Sequence, residues 1–280
     1  MAGLLAFHAH PDDESISMGG TLAEYAAQGV RVTVVTATRG EAGEIHNRTD
    51  ADEIRHRLGE IREVEERAAC AALGVDDVVF LGYRDSGMLG TGDNGDSLAF
   101  WNADFMEAVG RLVRVIRARR PEVMTAYDPY GGYGHPDHIQ THRVGTAAYF
   151  GAADVGRFPL IEGEQPWQPA RLFWATWSRE RMRRVRRRLA QDLGAAVQAE
   201  EPEPSSGTLP THITTHRDVR PWAKQKHAAL LEHVTQFGPE SWIRTMPEEQ
   251  LLDFLGEEVF VRVFTTVGAN AADPDLFAGI

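Results

Sequence analysis

Apolar and polar positions alternate between two periods along the first half of the chain. Residues 3–9, GLLAFHA, form a short continuous apolar run, which predicts a strand buried on both faces. Residues 14–28 place Leu22, Tyr25 and Ala26 at helical spacing and close on Gly29. The β-branched run RVTVVTAT at 31–38 predicts a second strand. Residues 53–73 predict a long helix with Ile61, Val64, Ala68 and Leu73 on one side and Gly74 as its stop. DVVFLG at 77–82 reads as a third strand, and the Gly-, Asp- and Asn-rich segment 83–101 as a loop over a site. A helix follows at 103–119, with Phe105, Val109, Leu112, Val113 and Ile116 on one stripe. Pro121 precedes a fourth strand at 122–128, and the turn-rich PYGGYGHPDH leads into a helix from about 137 to 150.

Four strand–helix alternations predict an α/β layer fold with a largely parallel sheet. The second half is less regular. It offers a strand at 170–177, helices at 179–194, 218–236 and 247–255, and the closing strand EVFVRVFTT. AEEPEPSSGTLP (199–210) reads as an exposed loop or linker. We expect a catalytic core over 1–155 and a smaller α+β extension over 156–280 that completes the sheet and caps the site.

Composition narrows the class. Of 280 residues, 42% are hydrophobic and 25% charged, as in an ordinary globular protein. No run approaches a membrane span, and the N-terminus lacks the basic lead of a signal peptide. The single cysteine, Cys70, excludes an intrachain disulfide and a cysteine-built zinc site. These features fit a reducing cytoplasm. With 29 basic and 41 acidic residues the net charge is −12, which disfavours nucleic acid and anionic membranes as partners. The arginine-rich RERMRRVRRR at 179–188 reads as a solvated helix face.

The chemistry gathers at two strand ends, where open parallel sheets bind ligands. His8, His10, Asp12, Asp13 and Glu14 follow the first strand; His135, Asp137, His138 and His142 follow the fourth. Nitrogen and oxygen donors converging there suit a borderline divalent ion. His10 lies nearer the strand end than His8 and is the better ligand candidate. Asp12 and Asp13 diverge as neighbours, so one carboxylate would bind the ion and the other the metal-bound water. Pro136 at a first helical position sets His135 outside the helix and Asp137 and His138 in its first turn. One histidine can then ligate while the other faces the substrate, with His142 a rival ligand. Three ligands and an open position describe catalytic zinc, and the whole reads as metal-assisted amide hydrolysis. A dinucleotide site is disfavoured, because no GxGxxG turn follows the first strand.

AHPDDE (9–14) and GHPDH (134–138) resemble the two signature motifs of the PIG-L/LmbE-like zinc N-deacetylases, and the resemblance covers residues 4 to about 150. It implies a Rossmann-like fold and zinc on His10, Asp13 and His138, a donor set of two histidines and an aspartate that also accepts ferrous iron. It implies Asp12 as general base and His135 as oxyanion stabiliser or acid, oriented by Asp137. Tyr133 matches a tyrosine that reaches the substrate carbonyl. TRGEAGE (38–44), HRLGEIR (56–62), RDSGM (84–88) and YDPYGGYGHPDHIQTH (127–142) are similar to the mycothiol-pathway deacetylases of N-acetylglucosaminyl-inositol. Glu44, Arg57 and Asp85 fall where that branch holds the sugar–inositol hydroxyls. Ser17 stands where the sister S-conjugate amidases carry lysine. In contrast, HVTQFGPESW (233–242), PWQPARLFW (166–174) and the terminal DLFAGI are more similar to the amidases. The implied substrate is therefore a small N-acyl glucosaminyl conjugate, of inositol or of another aglycone.

Overall fold

A computed structural model describes residues 2–46, 51–181, 183, 206–268 and 273–280. Seven strands form one sheet: β1 (Gly3–His8), β2 (Arg31–Thr38), β3 (Asp77–Tyr83), β4 (Val123–Tyr127), β5 (Arg171–Thr176), β6 (Thr215–Asp218) and β7 (Glu257–Thr265). Their order is β3-β2-β1-β4-β5-β7-β6. The first five run parallel; β7 pairs antiparallel with both β5 and β6. The predicted α/β class with a mostly parallel sheet is what the chain forms.

The helices that sandwich this sheet are α1 (Asp13–Ala27), α2 (Leu58–Ala72), α3 (Phe105–Arg119), α4 (Pro136–Gly151), α5 (Ala223–Glu232) and α6 (Glu248–Leu255). Successive residues of β1 serve opposite layers, as the two-residue period requires. Leu4 and Ala6 pack with Met18, Leu22, Ala69 and Leu73 under α1, α2 and α5. Leu5 and Phe7 pack with Val109, Leu112, Val113 and Ile116 under α3 and α4. Both faces are covered, which is why the inner strands are almost wholly apolar.

Several elements depart from expectation for identifiable reasons. The helix expected over 53–73 is a single turn at Ala51–Ile54, a 3-10 turn at Arg55–Arg57 and then α2. Its buried face is also rotated. Val64 is 69% exposed, whereas Leu58, Arg62, Glu65, Glu66, Ala69 and Cys70 are buried. Charged residues occupy the inner face because they serve a polar network, so apolar periodicity points to the wrong stripe. In α3 the start moves to Phe105, because the Asp104 side chain accepts from the Glu107 N–H at 2.8 Å as an N-cap. Phe105 itself is exposed; the rest of its stripe is buried. The helix expected over 218–236 shortens to Ala223–Glu232, its first residues forming β6 and a 3-10 turn. The segment 184–198 and most of the 199–210 loop lie outside the described residues, as does most of the arginine run.

The sheet order places β1 and β4 side by side while their helices go to opposite faces. That is the topological switch point, where a crevice opens beyond the strand ends.

Candidate active site

Two strand ends and two proline turns build the site. β1 stops at His8, the chain bends through His10 and Pro11, and α1 begins at Asp13. Asp12 between them has φ 109° and ψ −27°, a conformation that costs a non-glycine residue about 1–3 kcal/mol. Its N–H is held by two carboxylates, Glu14 Oε2 at 3.0 Å and Glu66 Oε2 at 3.3 Å. After β4, Asp128 Oδ1 accepts from the Tyr130 and Gly132 N–H groups and folds the loop back. Gly131 (φ +58°) and Gly132 (φ +74°) are needed there: a Cβ would fall 2.3 Å from His138 Cβ or 2.0 Å from the Trp177 ring. Pro136 then opens α4, and His135 caps it, Nδ1 accepting from the Asp137 N–H at 3.1 Å.

These turns bring His10, Asp13 and His138 together. His138 Nε2 lies 3.3 Å from His10 Nδ1 and 3.4 Å from Asp13 Oδ2, and His10 Nδ1 lies 3.5 Å from Asp13 Oδ2. Ligands at about 2.0–2.1 Å from a tetrahedral ion stand about 3.3–3.4 Å apart, so the triangle has the size of one face of such a site. The donor set, two imidazoles and a carboxylate, suits zinc or ferrous iron. His135 also comes within ligand range. Ring nitrogens of His10, His135 and His138 all lie within 4.8 Å of one another.

One expected contact is corrected. Asp137 meets the His135 ring through its backbone N–H rather than its carboxylate. Its carboxylate lies 3.1 Å from His10 Nε2 and accepts from the Ser86 N–H at 2.9 Å and from the Ser86 hydroxyl. Asp137 therefore braces the His10 ring at Nε2, opposite the Nδ1 that faces Asp13 and His138, the arrangement usual for a ligating imidazole. Burial and the neighbouring His10 and His138 rings push the His135 pKa down to about 3, which favours the neutral imidazole at pH 7. With Nδ1 accepting, its hydrogen sits on Nε2. Burial likewise lowers His138 to about 4. Burial opposes charge on His10, but Asp85, Asp13 and Asp137 overcome it and raise its pKa well above 6.5. Ligation would need that imidazole neutral, so a cation bound there would displace a proton. Burial lifts Asp12 to about 7 against the pull of Arg62.

The remaining candidates divide. Asp85 is buried, its Oδ1 3.5 Å from His10 Nε2 and accepting from the Gly87 N–H at 2.8 Å. Ser17 is buried and donates to the Asp13 carbonyl at 2.7 Å. Tyr133, 48% exposed, stands edge-on to His138 with ring centres 4.9 Å apart. Glu44 and Arg57 are exposed, Glu44 beside His46 and Arg57 paired with Glu60. His142 is not gathered into the cluster; its Nδ1 meets the Tyr127 carbonyl and its ring packs on Trp174. His8 pairs with the Tyr127 hydroxyl at 3.0 Å.

Other site residues escaped the sequence reading. Tyr127 stacks on His138, centroids 4.6 Å apart and nearly parallel. Arg62 donates to the Gly40 and Pro11 carbonyls and lies 3.3 Å from Asp12 Oδ2. His233 and Glu66 join Glu14, already expected beyond the first strand, in a second buried cluster behind Asp12. Ser86 could have been suspected from RDSGM, but a lone histidine at 233 carries no local signal.

Comparison with known proteins follows the same lines. Residues 5–149 match the PIG-L family, described as GlcNAc-PI de-N-acetylase. The chain is 46% identical over 292 residues to the 1D-myo-inositol 2-acetamido-2-deoxy-alpha-D-glucopyranoside deacetylase of Streptomyces avermitilis, covering 99% of this chain and 97% of that protein. It is 42% identical over 285 residues to the deacetylase of the same name from Thermobispora bispora, covering 97% and 89%. In three dimensions it is similar to the N,N'-diacetylchitobiose deacetylase of Pyrococcus horikoshii, with a TM-score of 0.66 at 22% identity over 93% of this chain and 83% of that one, a likeness of fold. With the family match spanning both histidine-bearing strand ends and near-full-length relatives above 40% identity, this chain belongs to the PIG-L family of de-N-acetylases, enzymes that hydrolyse an amide.

Proposed function

We propose that the protein removes the acetyl group from the glucosamine nitrogen of 1D-myo-inositol 2-acetamido-2-deoxy-α-D-glucopyranoside, using a divalent ion on His10, Asp13 and His138. The observation that carries this reading is the 3.3–3.5 Å triangle of those three side chains, with Asp12, its carboxylate held by Arg62, next to Asp13 in the chain. The substrate is proposed from the name shared by the near-full-length relatives. The ion is zinc or ferrous iron by its donor set, and the charge balance and lone buried cysteine support a cytoplasmic setting.

When bound, the ion supplies Lewis acidity to the scissile carbonyl and an acidified water. Asp12, with a pKa near 7, is suited to accept a proton from that water at neutral pH and pass it to the departing amine. His135 contributes as a neutral donor, its Nε2–H available to the oxygen on which negative charge develops. Tyr133 at the mouth is the second donor toward the same oxygen. Asp137 and Ser86 keep His10 in its ligating orientation. Asp85, on the wall beside His10, is proposed to take substrate hydroxyls. Glu44 and Arg57, further out and exposed, would meet only the distal part of a large glycoside. Ser17 braces the start of α1 by donating to the Asp13 carbonyl.

The test is amine release by the metal-loaded and metal-stripped protein from three substrates: N-acetylglucosaminyl-inositol, N-acetylglucosaminyl-malate and a mycothiol S-conjugate. The inositol glycoside should be cleaved fastest, with activity lost on chelation and restored by zinc or ferrous iron. Preference for the S-conjugate would move the protein to the amidase side, and activity indifferent to chelation would remove the metal from the mechanism.

A further inference from the structure

Asp12 is held in an unfavourable backbone conformation, and the groups that hold it are wholly buried. On one side Arg62 grips the Pro11 carbonyl and the Asp12 carboxylate. On the other, Glu14 and Glu66 accept from the Asp12 N–H. Glu14 is itself fixed at its other oxygen by His233 Nε2 at 3.0 Å and by the neighbouring Ser15 hydroxyl. His233, Glu14 and Glu66 are all 0% exposed, and Arg62 is 3% exposed. His233 comes from the segment after α5, outside the residues 5–149 that match the family. That segment is docked by Thr235, whose N–H and hydroxyl donate to Glu65 on α2 at 2.9 and 2.7 Å.

We propose that His233 is a positioning residue for Asp12, acting through the Glu14 carboxylate; this rests on the reading of Asp12 as general base. A buried carboxylate keeps one orientation only while its partners stay in place. Without the imidazole, Glu14 Oε1 keeps only the hydroxyl of its neighbour Ser15, and the carboxylate loosens its hold on the Asp12 N–H. The turn then relaxes towards ordinary dihedrals and swings the Asp12 carboxylate away from its working position. A displacement of about 1 Å in a catalytic group costs on the order of 10²-fold in rate. His233 touches neither the triangle of His10, Asp13 and His138 nor the substrate crevice, so metal content and substrate affinity should be untouched. In effect the C-terminal third of the chain completes the general base of the first third.

A double-mutant cycle decides it, with kcat, KM, metal per chain and thermal unfolding measured on N-acetylglucosaminyl-inositol. His233→Leu should lower kcat by about 10–100-fold while KM stays within about threefold and the metal remains stoichiometric. His233→Gln, which keeps a polar group at similar reach, should recover most of the loss. In an Asp12→Asn background, His233→Leu should cost nothing further, because its effect passes through Asp12. Unchanged kcat in His233→Leu, no recovery in His233→Gln, or losses that multiply with Asp12→Asn would each overturn the proposal. An Asp12→Asn protein with near-normal kcat would instead overturn the general-base reading itself. Should His233→Leu not fold, His233→Asn, too short to reach Glu14, takes its place under the same criteria.

Discussion

Asp137 lies against His10 Nε2 and Ser86, so its substitution should be felt at the metal before it is felt in proton transfer. Asp137→Asn is expected to weaken metal binding by about 10–100-fold, read by competition with a chelator; an unchanged affinity would return Asp137 to another role. The triangle makes the complementary prediction that His10→Ala and His138→Ala leave well under one metal per chain by elemental analysis. Asp12→Asn should keep its metal and lose roughly 10²-fold or more in kcat. The neutral state of His135 sharpens a further expectation. His135→Ala should lose about 10²–10³-fold in kcat, and the pH–rate profile should keep its basic limb, because this imidazole donates a hydrogen bond and carries no titrating proton there. A basic limb that vanishes with His135 would show that it works as a cationic acid after all. At this scale the motif residues were legible because proline and histidine mark their own turns, whereas the partner of the Asp137 carboxylate was not. A side chain's direction in the first turn of a helix depends on what packs over it, here the Asp85–Ser86 backbone from a loop fifty residues away.

Helix α1 is broken at Met18, whose φ −148° and ψ 22° leave the next turn without intrahelical acceptors. Glu258 on β7 supplies them, taking the Gly20 and Thr21 N–H groups at 2.8 Å each, and Lys226 on α5 pairs with it at 2.6 Å. Burial holds the Lys226 ammonium below its usual pKa even so. Removing the carboxylate with Glu258→Ala leaves two orphan donors and a buried cation, at a cost of about 3–5 kcal/mol in chemical denaturation. A loss under about 1 kcal/mol would show that water replaces the cap. A second element tie joins α3 to β3: Arg119 meets Asp77 at 2.6 and 2.9 Å, and Thr33 adds 2.8 Å. Desolvation acts on Asp77 the other way, but these partners hold its pKa below the usual 3.8. Because the folded pKa is depressed, the tie stabilises above pH 4 and fades as pH falls below it. The gap in melting temperature between the protein and Asp77→Asn should therefore be present at pH 6 and close towards pH 3. A gap independent of pH would assign the contact to packing. The helix α2 shows why periodicity misled: its inner face carries Arg62, Glu65 and Glu66, which look like surface residues until their partners on other elements are known.

At the scale of the whole molecule, the sheet runs through any boundary near residue 155, since β5, β7 and β6 continue the edge left by β4. Residues 1–155 alone would expose that edge and lose both His233 behind Glu14 and Glu258 above Gly20. We expect the isolated piece to aggregate or stay protease-sensitive and to bind no metal; a folded, metal-binding fragment in size-exclusion and elemental analysis would show two independent units. Among the described residues no helix is long and apolar enough to cross a membrane.

The order of residues by itself determined the βα alternation, the continuous apolar strands and the two histidine–carboxylate clusters at strand ends. Those features are local: strand burial writes itself as unbroken apolar runs, and proline and glycine punctuate turns within a few residues. Only the tertiary structure decided the insertion of β7 between β5 and β6, the rotated face of α2, the aim of Asp137 and the reach of His233 to Glu14. Each joins segments far apart in the chain, and such contacts follow from how packed layers meet, a property no short window of sequence contains.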